Sequence, residues 1–164
     1  MWGARMSTGQ LASGLGAFLV IVFAAAFAGS RIVKPALPGW YAALKRPSFT
    51  PPNWVFAPVW TTLYVLMAVA AWLVWKEEGF AAHKAALALF LVQLFLNALW
   101  SPVFFGLRKI GAAFLIIVFL WLAILVTTVA FWGVSASAGA MLVPYQLWVT
   151  YAAALNYALW RMNS

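Results

Sequence analysis

The sequence predicts an all-α membrane protein, a bundle of five transmembrane helices with a long proline- and aromatic-rich loop between the first two. Hydrophobic residues make up 67% of the 164 residues and charged residues only 7%. Soluble domains are about half apolar and about a quarter charged. The mean hydropathy is +0.99. Long uncharged stretches also alternate with short segments that carry most of the Lys and Arg residues, as expected of consecutive membrane spans.

Five stretches are long enough to cross a bilayer as helices, which rise about 1.5 Å per residue. They are predicted at residues 9–28, 53–75, 82–105, 110–132 and 141–160. The connections after the second helix are short and leave no room for a soluble domain. Residues 1–164 are therefore predicted to form a single integral-membrane domain.

The first stretch has two interpretations. Arg5, an apolar core and an Ala-Phe-Ala tripeptide at 26–28 fit a cleavable signal peptide. The core is long for that role, however, and Gly9, Ser13 and Ala17 form a ridge of small residues suited to helix packing. We expect a retained first span.

The loop at residues 29–52 is predicted to form a stiff lid over one end of the bundle. Its prolines fix φ and remove backbone donors. An aromatic flap of this kind suits a flat apolar ligand. Aromatic residues crowd the lid and the helix after it, beside Lys45 and Arg46: Trp40, Tyr41, Phe49, Trp54, Phe56, Trp60 and Tyr64.

The net charge of +8 is explained by the loops rather than by nucleic-acid binding, because the basic residues lie between apolar stretches. With five spans, Arg5, Lys76 and Lys84 fall on one face. The other face collects Arg31, Lys34, Lys45, Arg46, Arg108, Lys109 and Arg161. The positive-inside rule then places the lid loop and the C-terminus on the cytosolic side.

Several function classes are disfavoured by the residue types present. No ionisable residue lies in the middle of a predicted span, which argues against an ion-coupled transporter. The chain has no cysteine, and His83 is the only histidine, near a helix start. We therefore expect no metal site and no cofactor. Glu77 and Glu78 are adjacent and would point apart on a helix, so no catalytic carboxylate pair is predicted.

A polar stripe runs along the third predicted helix. Gln93, Asn97 and Ser101 recur every four residues and so share one helix face. In lipid this face must point into the bundle. The stripe either supplies interhelical hydrogen bonds that hold the bundle together or lines an apolar pocket with a few polar groups.

Aromatic residues on three helices could converge beneath the lid. Trp60 and Tyr64 are one turn apart on the second helix, Trp100 lies on the third and Trp148 on the fifth. Most of the eleven tryptophans must serve core packing or interface anchoring. A converging set, however, would offer faces for stacking a planar π-system.

The C-terminal helix carries a loose cholesterol-contact pattern at Leu155, Tyr157 and Arg161. Such short matches are common at helix ends, so the pattern alone carries little weight.

These residues resemble the translocator protein family, also called tryptophan-rich sensory proteins or peripheral-type benzodiazepine receptors. The resemblance covers residue 35 to the end of the chain. It consists of several multi-residue blocks in the family's order: Trp40-Tyr41-x-x-Leu44-x-x-Pro47, Pro51-Pro52-x-Trp54-Val55-Phe56-x-Pro58-x-Trp60-Thr61-x-Leu63-Tyr64, Asn97-x-x-Trp100-Ser101-Pro102-Val103-Phe104-Phe105-Gly106 and Pro144-Tyr145-x-x-Trp148.

The resemblance implies a five-helix receptor or sensor, usually a homodimer, that binds porphyrins and benzodiazepine- or isoquinoline-type ligands and is linked to tetrapyrrole regulation or transport. A small-residue ridge at Ala81, Ala85 and Ala88 is a candidate for the contact between two copies. The ligand-binding residues carried over from the family are Tyr41, Trp60, Tyr64, Asn97, Trp100, Ser101, Trp148 and Ala152.

Two alternatives remain open. In some bacterial relatives the tryptophans that match Trp60 and Trp148 are linked to light-driven porphyrin breakdown, which would make the protein an enzyme. The other alternative is a facilitator of porphyrin, lipid or sterol translocation.

Phe49 departs from the family, where many relatives have tryptophan. The sterol pattern belongs to animal members, whereas a bacterial source is expected here.

Overall fold

The computed structural model describes residues 6–164, so Arg5 lies outside the described residues. The described part of the chain is an all-α bundle of five long helices, which confirms the predicted fold class. The helices are α1 (Thr8–Ala36), α2 (Asn53–Ala82), α3 (Lys84–Ser101), α4 (Ile110–Val134) and α5 (Ala136–Asn163). A π-helical turn follows α1 at Leu37–Tyr41, and a second follows α3 at Pro102–Gly106.

Among the described residues, four of the five helices have the length and composition of membrane spans. By these criteria α1 with its π turn, α2, α3 with its π turn and α4 are each able to cross a bilayer. α5 has 28 residues but is more polar, because it carries Gln146, Thr150 and Asn156. These side chains bond to neighbouring helices or to α5 itself. The protein is an integral membrane protein.

Neighbouring helices follow the order α1, α2, α5, α4 and α3 around the bundle, and α3 returns to α1. Small residues on α2, such as Ala68 and Ala71, are fully buried where the helices approach. In lipid, close packing of this kind drives helix association, because apolar burial alone gains nothing over lipid contact. The two π turns meet at one end, beside the loop that joins α1 to α2.

The loop between α1 and α2 is shorter than the expected 29–52. α1 was expected to end at residue 28, but it continues to Ala36 and through the π turn to Tyr41. Arg31 and Lys34 do not end the helix, since exposed basic side chains can extend from it toward the membrane surface. Residues 44–52 form the irregular part of the loop, which we call the lid.

The connections at the other end are almost entirely helical. α2 runs beyond the expected residue 75 to Ala82, with a break at Gly79. The φ of Gly79 is 81°, a value that glycine adopts readily because it has no Cβ. α4 and α5 are separated by Ser135 alone, whereas residues 133–140 were expected to lie between the two helices. This tight turn needs Gly139, because a Cβ there would lie 2.6 Å from the Trp132 ring.

Candidate ligand site beneath the lid

The lid is held against α5 at two points. Asn163 bonds to Lys45 in both directions: its Oδ1 accepts from the Lys45 N–H at 3.0 Å, and its Nδ2 donates to the Lys45 carbonyl at 2.9 Å. The Tyr151 hydroxyl donates to the Phe49 carbonyl at 2.6 Å. These side chains satisfy backbone groups that a loop would otherwise present to solvent. We call the two contacts the lid latch.

Tyr41 is fixed at the base of the lid. It is only 4% exposed, and its ring lies 5.6 Å from Phe105 and 6.3 Å from Phe104. Phe104 in turn stacks on Trp100, with ring centroids 4.9 Å apart. The α1 π turn therefore places Tyr41 beside the end of α3, in contact with the aromatic cluster that includes Trp100.

An aromatic wall forms where α2 faces α5. The Trp60 ring lies 5.6 Å from Tyr64 and 6.3 Å from Tyr145. One turn closer to the lid, Phe56 lies 6.0 Å from Trp148, which also contacts Tyr151 at 5.5 Å. These offset and edge-on pairs are the geometries that aromatic rings prefer. The structure thus brings Trp60 and Trp148 to the same interface between α2 and α5, next to Tyr151, which holds the lid.

A chain of buried hydrogen bonds crosses the bundle behind this wall. The Tyr64 hydroxyl donates to Asn97 Oδ1 at 2.8 Å, and Asn97 Nδ2 donates to the Tyr145 hydroxyl at 2.9 Å. The Tyr145 hydroxyl then donates to Gln93 Oε1 at 3.0 Å. Asn97, Tyr145 and Gln93 are at most 5% exposed. Two stripe residues on α3 therefore join α2 to α5, and Asn97 does so next to the aromatic wall.

The indole of Trp100 is tied to the bundle. Its Nε1 donates to Asn156 Oδ1 at 2.9 Å, and Asn156 Nδ2 donates to the Ile110 carbonyl at 3.0 Å. Asn156 is 1% exposed and joins α3, α4 and α5 through these two bonds. Trp100 therefore offers the site an aromatic ring, one face of which is covered by Phe104, and no free donor.

The indole of Trp148 differs in this respect. Its Nε1 is buried, and it meets no hydrogen-bond acceptor within residues 6–164. Buried donors are normally paired, and an unmade bond costs about 1–3 kcal/mol. Trp148 therefore holds a donor at the α2–α5 interface that an acceptor atom of a ligand could satisfy.

Sequence comparison assigns the chain to a family. The model of the TspO/MBR family matches residues 17–161. The chain belongs to the TspO/MBR family. It is 43% identical over 152 residues to protein CrtK of Rhodobacter capsulatus, covering 89% of this chain and 92% of the relative. It is also similar to the human translocator protein, with 45% identity over 84% of this chain and 82% of that protein.

A third relative is the tryptophan-rich sensory protein of Cereibacter sphaeroides, which is 41% identical over 76% of this chain and 77% of the relative. The alignments cover most of both chains in each case. The resemblance inferred from the motif blocks is therefore confirmed at the level of the family.

Two further residues of the predicted TspO/MBR ligand set lie at different edges of the site. Ala152 is half-buried one turn beyond Trp148 and packs on the same core. Ser101 faces α1: a Cβ added at Gly29 would lie 3.5 Å from its Oγ. Ser101 thus lines the α1–α3 contact, away from the α2–α5 wall.

The three residues of the sterol pattern do not share one surface. Leu155 is 5% exposed and packs in the core, whereas Tyr157 is 47% exposed on the outer face. The Tyr157 ring contacts Phe114 at 5.3 Å. Arg161 is exposed one turn further along α5. Sterol contact stays a prediction for the outward pair, Tyr157 and Arg161.

Two open surface cavities lie at the end of the bundle away from the lid. One, of about 430 Å³, is lined by residues of α1 and by Trp75. The other, of about 310 Å³, is lined by Glu77, Glu78, His83 and the end of α4. Neither contains a residue of the predicted ligand set. Beneath the lid the aromatic rings pack on one another, so a large ligand requires the α2 and α5 rings to separate.

Sequence reasoning missed the partners of several site residues. Tyr145 had appeared only as part of a motif, and Asn156, Tyr151 and Asn163 had not been singled out. Asn156 carried a usable signal, since an asparagine within an apolar helix needs a partner inside the bundle. Asn163 carried none, because its partner lies 118 residues away.

Proposed function

We propose that this TspO/MBR protein is a membrane receptor that binds a porphyrin-type ligand beneath the lid, in a cleft that forms when the aromatic rings of α2 and α5 separate. The observation that carries the proposal is the buried Trp148 N–H, which has no acceptor among residues 6–164. Names of relatives, such as translocator protein and tryptophan-rich sensory protein, support a role in sensing or moving a small molecule.

The chemistry of the cleft favours a flat, largely apolar ligand. Trp60, Tyr64 and Trp148 offer ring faces for stacking, and the polar groups behind them are already paired. A porphyrin has a wide π face and carboxylates at one edge. On the lid, Lys45 and Arg46 are exposed and can pair with such carboxylates. Benzodiazepine- and isoquinoline-type compounds also present planar aromatic rings and carry acceptor atoms for Trp148.

Ligand entry in this proposal requires the lid latch to open. The lid covers the end of the cleft nearest Phe56, and the latch bonds join it to α5, the helix that bears Trp148. Opening these bonds would let the lid swing away and the α2 and α5 rings part. The latch therefore sets the rate of ligand exchange.

The test is a titration of purified protein in detergent with protoporphyrin, followed by the porphyrin absorption band. Trp148→Phe keeps an aromatic ring and removes the donor. We expect a roughly two- to tenfold weaker affinity, the worth of one hydrogen bond. Trp132→Phe is the matched control, because Trp132 is 51% exposed at the other end of the bundle. Equal affinity in Trp148→Phe and wild type would contradict the assignment of the donor.

Light-driven porphyrin breakdown is a second candidate, favoured by one observation. Trp60 packs against two phenol rings, those of Tyr64 and Tyr145, so an indole that would face the ligand contacts further oxidisable side chains. Under illumination the porphyrin band would then disappear with wild-type protein and persist with Trp60→Phe. A band that is stable with both proteins would leave binding alone.

The distribution of charge supports an orientation with the lid on the cytosolic side. Seven basic residues lie at the lid end of the described chain, whereas two, Lys76 and Lys84, lie at the opposite end. Cytosolic loops carry the excess of Lys and Arg. The proposed receptor therefore takes its ligand from the cytosolic side of the membrane.

A further inference from the structure

The lid end of the bundle has positive charge that no Asp or Glu side chain of the protein offsets. The only two acidic side chains, Glu77 and Glu78, lie at the far end of α2. The basic residues at the lid end are all exposed: Arg31, Lys34, Lys45, Arg46, Arg108, Lys109 and Arg161. Such a surface attracts anions, and two of its arginines are held in place by aromatic rings.

Arg46 and Arg108 lie on neighbouring aromatic rings. The Arg46 Cζ is 5.6 Å from the centre of the Tyr41 ring, and the Arg108 Cζ is 6.0 Å from that of Trp40. Both distances are those of cation–π contacts. An arginine of the lid and an arginine of the α3–α4 turn are thus held on consecutive residues of the α1 π turn.

The rings beneath the two arginines belong to one cluster. Trp40 and Tyr41 each contact both Phe104 and Phe105, at 5.6 to 6.4 Å. The cluster gives the guanidinium groups an apolar floor, and within residues 6–164 their outer edges meet no hydrogen-bond acceptor. A planar guanidinium presents paired N–H groups that fit the oxygens of a phosphate.

The backbone at Arg108 adds a second observation. Its φ is 57°, the only positive value at a non-glycine residue in the described part of the chain. A residue that ends a helix in this conformation is usually glycine, since a side chain there is disfavoured. Arginine at this position places a guanidinium over Trp40 at a cost in backbone energy.

We propose that Arg46 and Arg108 bind the phosphate headgroup of an anionic phospholipid at the foot of the lid. Leu107, the neighbour of Arg108, is 63% exposed and offers apolar surface to the acyl chains. The two arginines lie on Trp40 and Tyr41, and Trp and Tyr residues are enriched at the membrane–water interface. Apolar surface beside the cations selects a lipid over a soluble phosphate. Arg46 is shared with the proposed porphyrin site, so the phospholipid site is tested in protein that holds no porphyrin.

The test counts the lipids that purified protein retains, by native mass spectrometry, after addition of phosphatidylglycerol or phosphatidylcholine. Wild type is expected to retain phosphatidylglycerol preferentially. The double variant Arg46→Gln/Arg108→Gln is expected to bind phosphatidylglycerol roughly tenfold more weakly, because each basic residue near an anionic lipid surface adds to the affinity for it. Lys76→Gln/Lys84→Gln, which removes two charges at the opposite end, is the matched control and should behave as wild type.

Three outcomes would overturn the proposal. Equal retention of phosphatidylglycerol by the Arg46→Gln/Arg108→Gln variant and wild type is the first. The second is no preference of wild type between the two lipids. The third is full displacement of phosphatidylglycerol by an equal concentration of inorganic phosphate, which would indicate a site for soluble anions.

A second variant keeps the test decisive should the glutamine pair fail to fold. Arg46→Lys/Arg108→Lys retains both charges and loses the paired N–H geometry. Its retention of phosphatidylglycerol is expected to fall between those of wild type and the glutamine variant. Retention equal to wild type would contradict recognition by the guanidinium groups.

Discussion

Two tryptophans near the lid show how one residue type serves two purposes. The indole of Trp100 donates to Asn156, and so its polar atom is part of the scaffold. The indole of Trp148 is buried without an acceptor in the described chain. The difference lies in the partners, which the sequence does not display. It separates a structural tryptophan from one that faces the proposed ligand.

Asn156→Ala is predicted to destabilise the bundle. The change leaves the Trp100 N–H without its acceptor, which costs about 1–3 kcal/mol for a buried group, and it also removes the bond from Asn156 Nδ2 to the Ile110 carbonyl. Denaturation in detergent, followed by circular dichroism, measures the loss. Asn53→Ala is the control, because Asn53 is exposed at the start of α2. Equal stability of the two variants would contradict the role given to Asn156.

Tyr145→Phe is predicted to weaken the junction of α2, α3 and α5. It removes the hydroxyl that accepts from Asn97 and donates to Gln93. Hydrogen bonds between membrane helices contribute about 0.6–2 kcal/mol, so a loss of about 1–2 kcal/mol in unfolding free energy is expected. Tyr157→Phe, at an exposed tyrosine, should cost little. An equally large loss of stability in Tyr157→Phe would show that the buried hydrogen bonds of Tyr145 are not the cause.

At the scale of the helices, the sequence predicts that each helix exists more accurately than it predicts where the helix begins and ends. Apolar runs identify all five helices, because lipid requires about twenty apolar residues per span. They misplace the ends: Arg31 and Lys34 were expected to lie outside α1 and are part of it. Charged and small residues do not stop a helix whose neighbours supply packing and whose exposed side chains reach water.

The site was predictable to the extent that it depends on helical spacing. Trp60 with Tyr64, and Gln93 with Asn97, share faces that can be counted along the chain. The contacts that join different helices were not predictable in this way. Asn97 meets Tyr145 across 48 residues, and Asn163 meets Lys45 across 118. No local pattern encodes such pairs.

Asn163→Ala combined with Tyr151→Phe is predicted to loosen the lid. The variant lacks the latch, so the Lys45 amide loses its acceptor and the Phe49 carbonyl its donor. Hydrogen–deuterium exchange of peptides spanning residues 44–52 should become faster, while peptides of the α2–α5 core stay protected. Unchanged exchange in the lid would show that these side chains do not restrain it.

At the scale of the whole molecule, charge separates the two ends of the bundle. The chain has no cysteine, so single cysteines can report sidedness. Glu77→Cys lies at the weakly charged end and Ser48→Cys in the lid. With intact cells, an impermeant thiol reagent is expected to label Glu77→Cys and to reach Ser48→Cys only after permeabilisation. The reverse pattern would place the lid outside.

The receptor proposal rests on the cleft between α2 and α5, and a structure with bound protoporphyrin tests it most directly. We expect the ring system beside Trp60 and an acceptor atom of the ligand at about 2.7–3.2 Å from Trp148 Nε1. The lid should lie over the ligand edge that bears the carboxylates. A porphyrin bound on the outer, lipid-facing surface, with the Trp148 N–H still unpaired, would contradict the account.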